Sequence, residues 1–176
     1  MTRTLETQAL IPPKYTLGFV KCGESVLFLN REKAPWMGRW NGVGGKLDQG
    51  ESAHDCIVRE TKEETGLELP QYKPHGVLRW VRDGQDLGGV YLFTAEVSEE
   101  VMASYKTPIS YCHEGILDWK TLEWLLHPEN TGVVDNVKII LKSLFSAPPS
   151  STWIATYEGH KLTSCEYVDT ASSTTK

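Results

Sequence analysis

The sequence predicts a mixed α and β fold in which strands outnumber helices. Three observations carry that reading. Short runs rich in β-branched and aromatic residues recur between turn residues. One stretch carries a helix cap at each end. A later one has apolar residues at helical spacing before a double proline. The chain has 176 residues, roughly one domain's worth and enough to bury a core without disulfides or a structural metal. Hydrophobic residues make up 40% and charged residues 23%, ordinary values that exclude a collagen-like or disordered chain.

Taken in order, a polar arm over residues 1–14 closes at Pro12-Pro13, and a single domain spans 15–169. Residues 15–22 read as a strand, and Gly23-Glu24-Ser25 turns the chain into a second one over 26–30. Residues 31–50 read as a loop, because Pro35, Gly38, Gly42, Gly44, Gly45 and Gly50 punctuate them. Ser52 with Asp55 three residues on forms a capping box, and Gly66 is a stop, which frames a helix over 53–65. Strands over 76–82 and 90–97 follow, joined by the turn-rich residues 83–89. Residues 115–119 form a short strand. Val133, Val137, Ile140, Leu141 and Leu144 mark a second long helix, ended by Pro148-Pro149. Residues 153–157 and 162–168 make a hairpin across Glu158-Gly159-His160-Lys161, and 170–176 read as a disordered tail.

Eighteen basic residues against 23 acidic ones leave a net charge of −5, so an electrostatic grip on a nucleic-acid polymer is not expected. An anionic small molecule would need a local basic cluster or a metal ion. Cys22, Cys56, Cys112 and Cys165 are scattered, without a C-x-x-C pair, and read as buried, reduced thiols. The first fifteen residues lack the apolar run of a signal peptide, and no stretch approaches the ~18 apolar residues of a spanning helix. A cytoplasmic protein, without membrane attachment, is the expectation.

The informative segment is the helix after Gly50. Ala53, Cys56 and Ile57 define its apolar face, yet Glu60 and Glu64 fall within roughly 20° of Ala53, with Glu63 at the edge. Turning three glutamates toward the protein costs desolvation and sets like charges side by side. A solvated face, with Arg59 pairing to Glu63, is the competing reading. Against it stands Asn41-Gly42-Val43-Gly44-Gly45-Lys46, a glycine-rich run that lets backbone groups approach a ligand. Clustered carboxylates beside such a run suit Mg²⁺ carried by a phosphate substrate. The run is neither a Walker loop nor a dinucleotide fingerprint.

Together, Gly45-Lys-Leu-Asp-Gln-Gly-Glu51 and Arg59-Glu60-Thr61-Lys62-Glu63-Glu64-Thr65-Gly66-Leu67 resemble the Nudix box, G-x5-E-x7-R-E-U-x-E-E-x-G-U with U aliphatic. Thr61 is the one departure. The resemblance implies an α/β/α sandwich around a mixed sheet and hydrolysis of a nucleoside diphosphate linked to another group. It implies Mg²⁺, or Mn²⁺ in its place, held by Glu60, Glu63, Glu64 and the Gly44 carbonyl, while Glu51 and Arg59 brace the loop and helix. Glu63 or Glu64 would take the proton of the attacking water.

Beyond the box the chain is similar to MutT-type enzymes that remove oxidised purine nucleotides. Asn41 stands at their base-reading asparagine, and Glu114 matches a further metal-binding or base glutamate. His127-Pro128-Glu129-Asn130 corresponds to a Trp-Pro-Asp-Asp segment that reads the purine edge, which makes Glu129 and Asn130 candidates. Pro35, Gly88, His127 and Asn130 depart from the pattern, so the base pocket is rebuilt. Arg31, Lys33 and Arg39 have the charge to meet phosphate, with solvated loop charge as the competing reading; Gly45 and Lys46 join the expected substrate contacts.

The resemblance therefore implies a Mg²⁺-dependent nucleoside triphosphate pyrophosphohydrolase, an 8-oxo-dGTP diphosphatase in nucleotide pool sanitisation, acting as monomer or homodimer. The alternatives are a Nudix hydrolase of a dinucleoside polyphosphate, nucleotide sugar or capped RNA, and a catalytically silent nucleotide-binding module.

Overall fold

The structure is a computed structural model that describes residues 10–169; residues 1–9 and the tail 170–176 lie outside the described residues. All strands join one mixed sheet. Strand β1 (Tyr15–Cys22) and β2 (Ser25–Arg31) form an antiparallel pair, but only over Val20 to Cys22. Farther along, the same edge of β2 pairs with β3 (Trp40–Asn41), while β6 (Gly115–Thr121) runs along the other edge. Strands β4 (Lys73–Arg82) and β5 (Gln85–Glu96) form a hairpin, and β5 lies parallel to β1. Strand β7 (Ser151–Glu158) lies parallel to β4 and turns back through β8 (Lys161–Asp169).

Alternation along the strands divides the core in two. Leu17, Phe19, Val26, Phe28 and Leu92 face one side, where they pack with Leu125, Val137, Ile140 and Trp153. Val20, Leu27, Leu29 and Phe93 face the other, against Ile57 and Tyr72. Helix α1 (Ala53–Thr65) covers the second side, and α3 (Leu122–Leu126) and α4 (Asp135–Ile140) cover the first. This is the expected sandwich around a mixed sheet.

Several elements differ from expectation. Residues 83–89 are mostly strand: only Asp83 and Gly84, both at positive φ, make the turn. Gly88-Gly89 does not stop β5 because a side chain is what would not fit there. A Cβ on Gly89 would stand 2.2 Å from the Leu78 carbonyl oxygen, so the glycine lets β4 and β5 stay paired beside a bulge. The helix expected over 133–144 is shorter, α4 giving way to turns and a 3-10 segment, Leu144–Ser146. Helices α2 (Glu99–Ser104) and α3 were not foreseen; at six and five residues they are too short to show a period, although Ser98 and Thr121 cap them. Only Cys22 and Cys56 of the four free thiols are buried; Cys112 and Cys165 are half-buried. The described end of the arm is tied down: the Ile11 N–H donates to Asp86, and Arg79 donates to the Ile11 carbonyl at 2.9 Å. Among the described residues no helix is long and apolar enough to cross a membrane.

Candidate active site

The divergence of β1 from β2 makes room for the glycine-rich run. Its backbone pairs with the freed edge of β1: Gly18 exchanges hydrogen bonds with Val43, and the Thr16 N–H donates to the Gly45 carbonyl at 2.8 Å. Gly44, between these two, turns toward α1, and its N–H donates to Glu64 Oε2 at 2.9 Å. No other residue fits here. Gly44 has φ 142°, and a Cβ would stand 2.2 Å from the Thr16 carbonyl oxygen. Gly44→Ala is therefore expected to lower the thermal midpoint by several degrees, as a loss of about 2 kcal/mol does. An unchanged melting curve would show that the run does not lie this tightly on β1.

Helix α1 begins where the sequence predicts. Ser52 Oγ accepts from the Asp55 N–H at 3.1 Å, and Gly66 closes the helix at φ 77°. Its inward face buries Cys56, Ile57, Thr61, Glu64 and Thr65. Thr61, the departure from the aliphatic pattern, is fully buried because its hydroxyl has a partner in Tyr72, 2.7 Å away.

Arg59 organises the carboxylates. It reaches Glu51 with two hydrogen bonds of 2.8 and 2.9 Å, Glu60 with one of 2.9 Å and the Lys46 carbonyl at 3.2 Å. Its contact with Glu63, the pair expected of a solvated face, is longer at 3.3 Å. The guanidinium and the Asp48 N–H hold the Glu51 carboxyl down at about 2. A group depressed in the fold contributes stability that is present above its unfolded value near 4.5 and lost as pH falls toward 2. Glu51→Gln is thus expected to cost about 2 kcal/mol near neutrality, the deficit closing between pH 4.5 and 2. Melting curves across that range check it; a deficit that persists at pH 2 would assign the loss to packing.

The glutamates differ in environment. Glu64 is 6% exposed, and burial pushes its carboxyl up to about 8 against the pull of the Gly44 N–H. Burial also raises Glu60, opposed by Arg59. Glu63 is largely exposed, and Glu114 pairs with Lys33 at 2.9 Å.

All four border one cavity of about 810 Å³. Gly44, Gly45, Lys46, Arg31, Lys33 and Asn41 also line it. Arg31 is steadied by a hydrogen bond to the Pro35 carbonyl, and Asn41 accepts from the Gly42 N–H. Arg39 is structural, anchored on Asp135 and on the Thr131 and Val133 carbonyls. Neither Glu129 nor Asn130 lines the cavity. Asn130 is used in its own turn, donating to the Trp124 carbonyl and accepting from the Gly132 N–H, and Glu129 is exposed beside it. Asn136 takes a place there instead, with Leu78, Val90, Val134 and Val137. It is 4% exposed and donates to the Tyr157 hydroxyl at 2.8 Å. Its signal in the sequence was an amide four residues before Ile140, on the apolar face of the helix.

A scan against protein-family models matches residues 13–140 to the NUDIX domain, and the chain belongs to that family. It is 35% identical over 83 residues to the oxidized purine nucleoside triphosphate hydrolase of Mus musculus, covering 47% of this chain and 53% of that protein. It is 29% identical over 97 residues to the Nudix hydrolase YvcI of Bacillus subtilis, covering 54% and 58%. The chain thus spans little more than half the length of these curated relatives. A crystal structure of the MutT protein of Bacillus halodurans superposes with a TM-score of 0.65 at 25% identity, over 87% of this chain and 95% of that one.

Nudix hydrolases use divalent metal ions. The donors present fit such a group: Glu60, Glu63, Glu64, Glu114 and a backbone carbonyl offer hard oxygen atoms, and Glu64 is a buried acid whose charge a cation would favour further than the Gly44 N–H does. Among the described residues no three acidic, histidine or cysteine side chains already converge as a metal site, because Arg59 holds Glu60 and Lys33 holds Glu114.

Proposed function

We propose that this chain is a divalent-metal-dependent nucleoside triphosphate pyrophosphohydrolase, converting a triphosphate to the monophosphate and pyrophosphate, with oxidised purine nucleotides such as 8-oxo-dGTP preferred. The observation that carries it is Glu64, a buried acid hydrogen-bonded to the glycine-rich run and lining a cavity large enough for a nucleotide. The mouse relative, named for hydrolysis of oxidized purine nucleoside triphosphates, supports the substrate class. In this reading the enzyme acts in the cytosol, where its four thiols stay reduced, and binds no nucleic-acid polymer.

Mg²⁺, or Mn²⁺, would be held by Glu60, Glu63, Glu64, Glu114 and the Gly44 carbonyl, and when bound it supplies charge neutralisation and a water of lowered pKa. Arg31 and Lys46 face the phosphates and balance their charge. Glu63 is the carboxylate least engaged by neighbours, which suits it to accept the proton of the attacking water. Leu78, Val90, Val134 and Val137 give the base an apolar wall. Asn136, its amide nitrogen spent on Tyr157, keeps its Oδ1 as an acceptor, and an oxidised guanine offers N7–H where guanine has an acceptor.

The test is the kcat/KM ratio for 8-oxo-dGTP over dGTP. Wild type is expected to prefer the oxidised base, Asn41→Ala and Asn136→Ala to lose about tenfold or more of that preference, and Glu129→Gln to keep it. A wild type without preference removes the oxidised-purine assignment and leaves the pyrophosphohydrolase standing.

A further inference from the structure

We propose that Lys33 couples the divalent cation to the nucleotide. It is the counter-ion that Glu114 gives up when that carboxylate takes a cation, and it then pairs with a phosphate of the substrate. The proposal rests on the metal-dependent nucleotide hydrolysis proposed above. Both side chains line the main cavity, and Lys33 Nζ stands 2.9 Å from Glu114 Oε1.

Backbone contacts bring the two residues together. The Glu32 N–H donates to the Glu114 carbonyl at 2.9 Å, and Arg31 pairs with Gly115 where β2 meets β6. The main chain of Glu114 is thus set by the sheet, while the Lys33 ammonium hangs on a flexible four-carbon stem.

Arg59 and Lys33 each hold one of the cavity's acids, and they differ in how firmly they are tied. Arg59 bonds Glu51 twice and the Lys46 carbonyl once besides Glu60, and it is only 29% exposed. Among the described residues, one hydrogen bond holds the Lys33 ammonium, and its side chain is 56% exposed. An exposed pair of this kind shifts an equilibrium by about fivefold at most. Lys33 is the cation that can let go.

The consequences for binding have opposite signs. Without nucleotide, a cation at Glu114 forfeits the Lys33–Glu114 pair. With a triphosphate, phosphate oxygens complete the shell of the cation and so lie close to Glu114. The released ammonium meets them as a point charge. Lys33 therefore weakens binding of the cation alone and strengthens binding of the nucleotide with it, a coupling that is reciprocal between the two ligands.

The experiment titrates Mn²⁺ alone, followed by electron paramagnetic resonance. It then titrates, by calorimetry in Mn²⁺, a nucleoside triphosphate whose α and β phosphorus atoms are bridged by methylene. The proteins are wild type, Lys33→Met and Lys142→Met, the last making the same charge change outside the cavity. Lys33→Met is expected to bind Mn²⁺ alone about threefold tighter and the nucleotide about fivefold weaker. Lys142→Met is expected to stay within about 1.5-fold of wild type in both. A Lys33→Met protein in which both affinities fall, neither changes, or only one changes would overturn the coupling. So would a Lys142→Met protein that matches Lys33→Met, since net charge would then explain the effect. In each of these cases the hydrolase reading stands. If wild type binds neither Mn²⁺ nor the nucleotide, that reading falls and the coupling with it.

Discussion

Glu64→Gln is expected to lower kcat by about three orders of magnitude while the protein melts at the same temperature or higher in metal-free buffer. Two features of the site combine here. The side chain is 6% exposed, and burial disfavours its charge, so removing the ionisable group relieves the fold. Glutamine still offers an oxygen to the Gly44 N–H, so the glycine-rich run keeps its contact with α1. What is lost is a carboxylate for the cation, and with it the rate. Glu63→Gln is expected to lose turnover too, with no change in melting, because that side chain is largely exposed. Steady-state kinetics beside thermal unfolding separates these outcomes. Near-wild-type turnover in Glu64→Gln would remove the assignment.

Arg59→Ala is expected to destabilise the fold by about 3 kcal/mol, the range for removing one partner from a desolvated ion pair. The guanidinium serves Glu51, Glu60 and the Lys46 carbonyl at once, and its loss leaves two poorly exposed carboxylates without their cation. Arg59→Lys should recover only part of the loss, since an ammonium cannot present the fork that meets both oxygens of Glu51. Urea unfolding gives the number directly. A cost below about 0.5 kcal/mol would place Arg59 among ordinary surface ion pairs.

The parts legible in the sequence are those fixed by neighbours in the chain. Ser52 and Gly66 cap α1, so its bounds and its anomalous inward glutamates follow from spacing alone. Residues 15–22 are a strand from composition, and Glu60 and Glu64 fall one helical turn apart on α1. What was not legible depends on contacts made far along the chain. Residues 42–46 read as a loop, yet they pair with β1 almost thirty residues earlier because β1 and β2 diverge, which no local pattern reports. The base end shows the same limit. Glu129 and Asn130 looked placed by motif, but a turn at the end of α3 consumes Asn130, and the start of α4 brings Asn136 to the cavity instead. The Arg59 hub was visible as a Glu51–Arg59 brace, whereas its bond to Glu60 needed the burial of that glutamate to be seen.

The measurement that bears most directly on the carboxylate face of α1 is product analysis with and without metal. The purified protein is incubated with a nucleoside triphosphate in Mg²⁺ or in EDTA, and the products are resolved by anion-exchange chromatography. Monophosphate and pyrophosphate in equal amounts, no diphosphate intermediate, and no reaction in EDTA are the expected result. Release of diphosphate and inorganic phosphate, or turnover untouched by chelation, would contradict it.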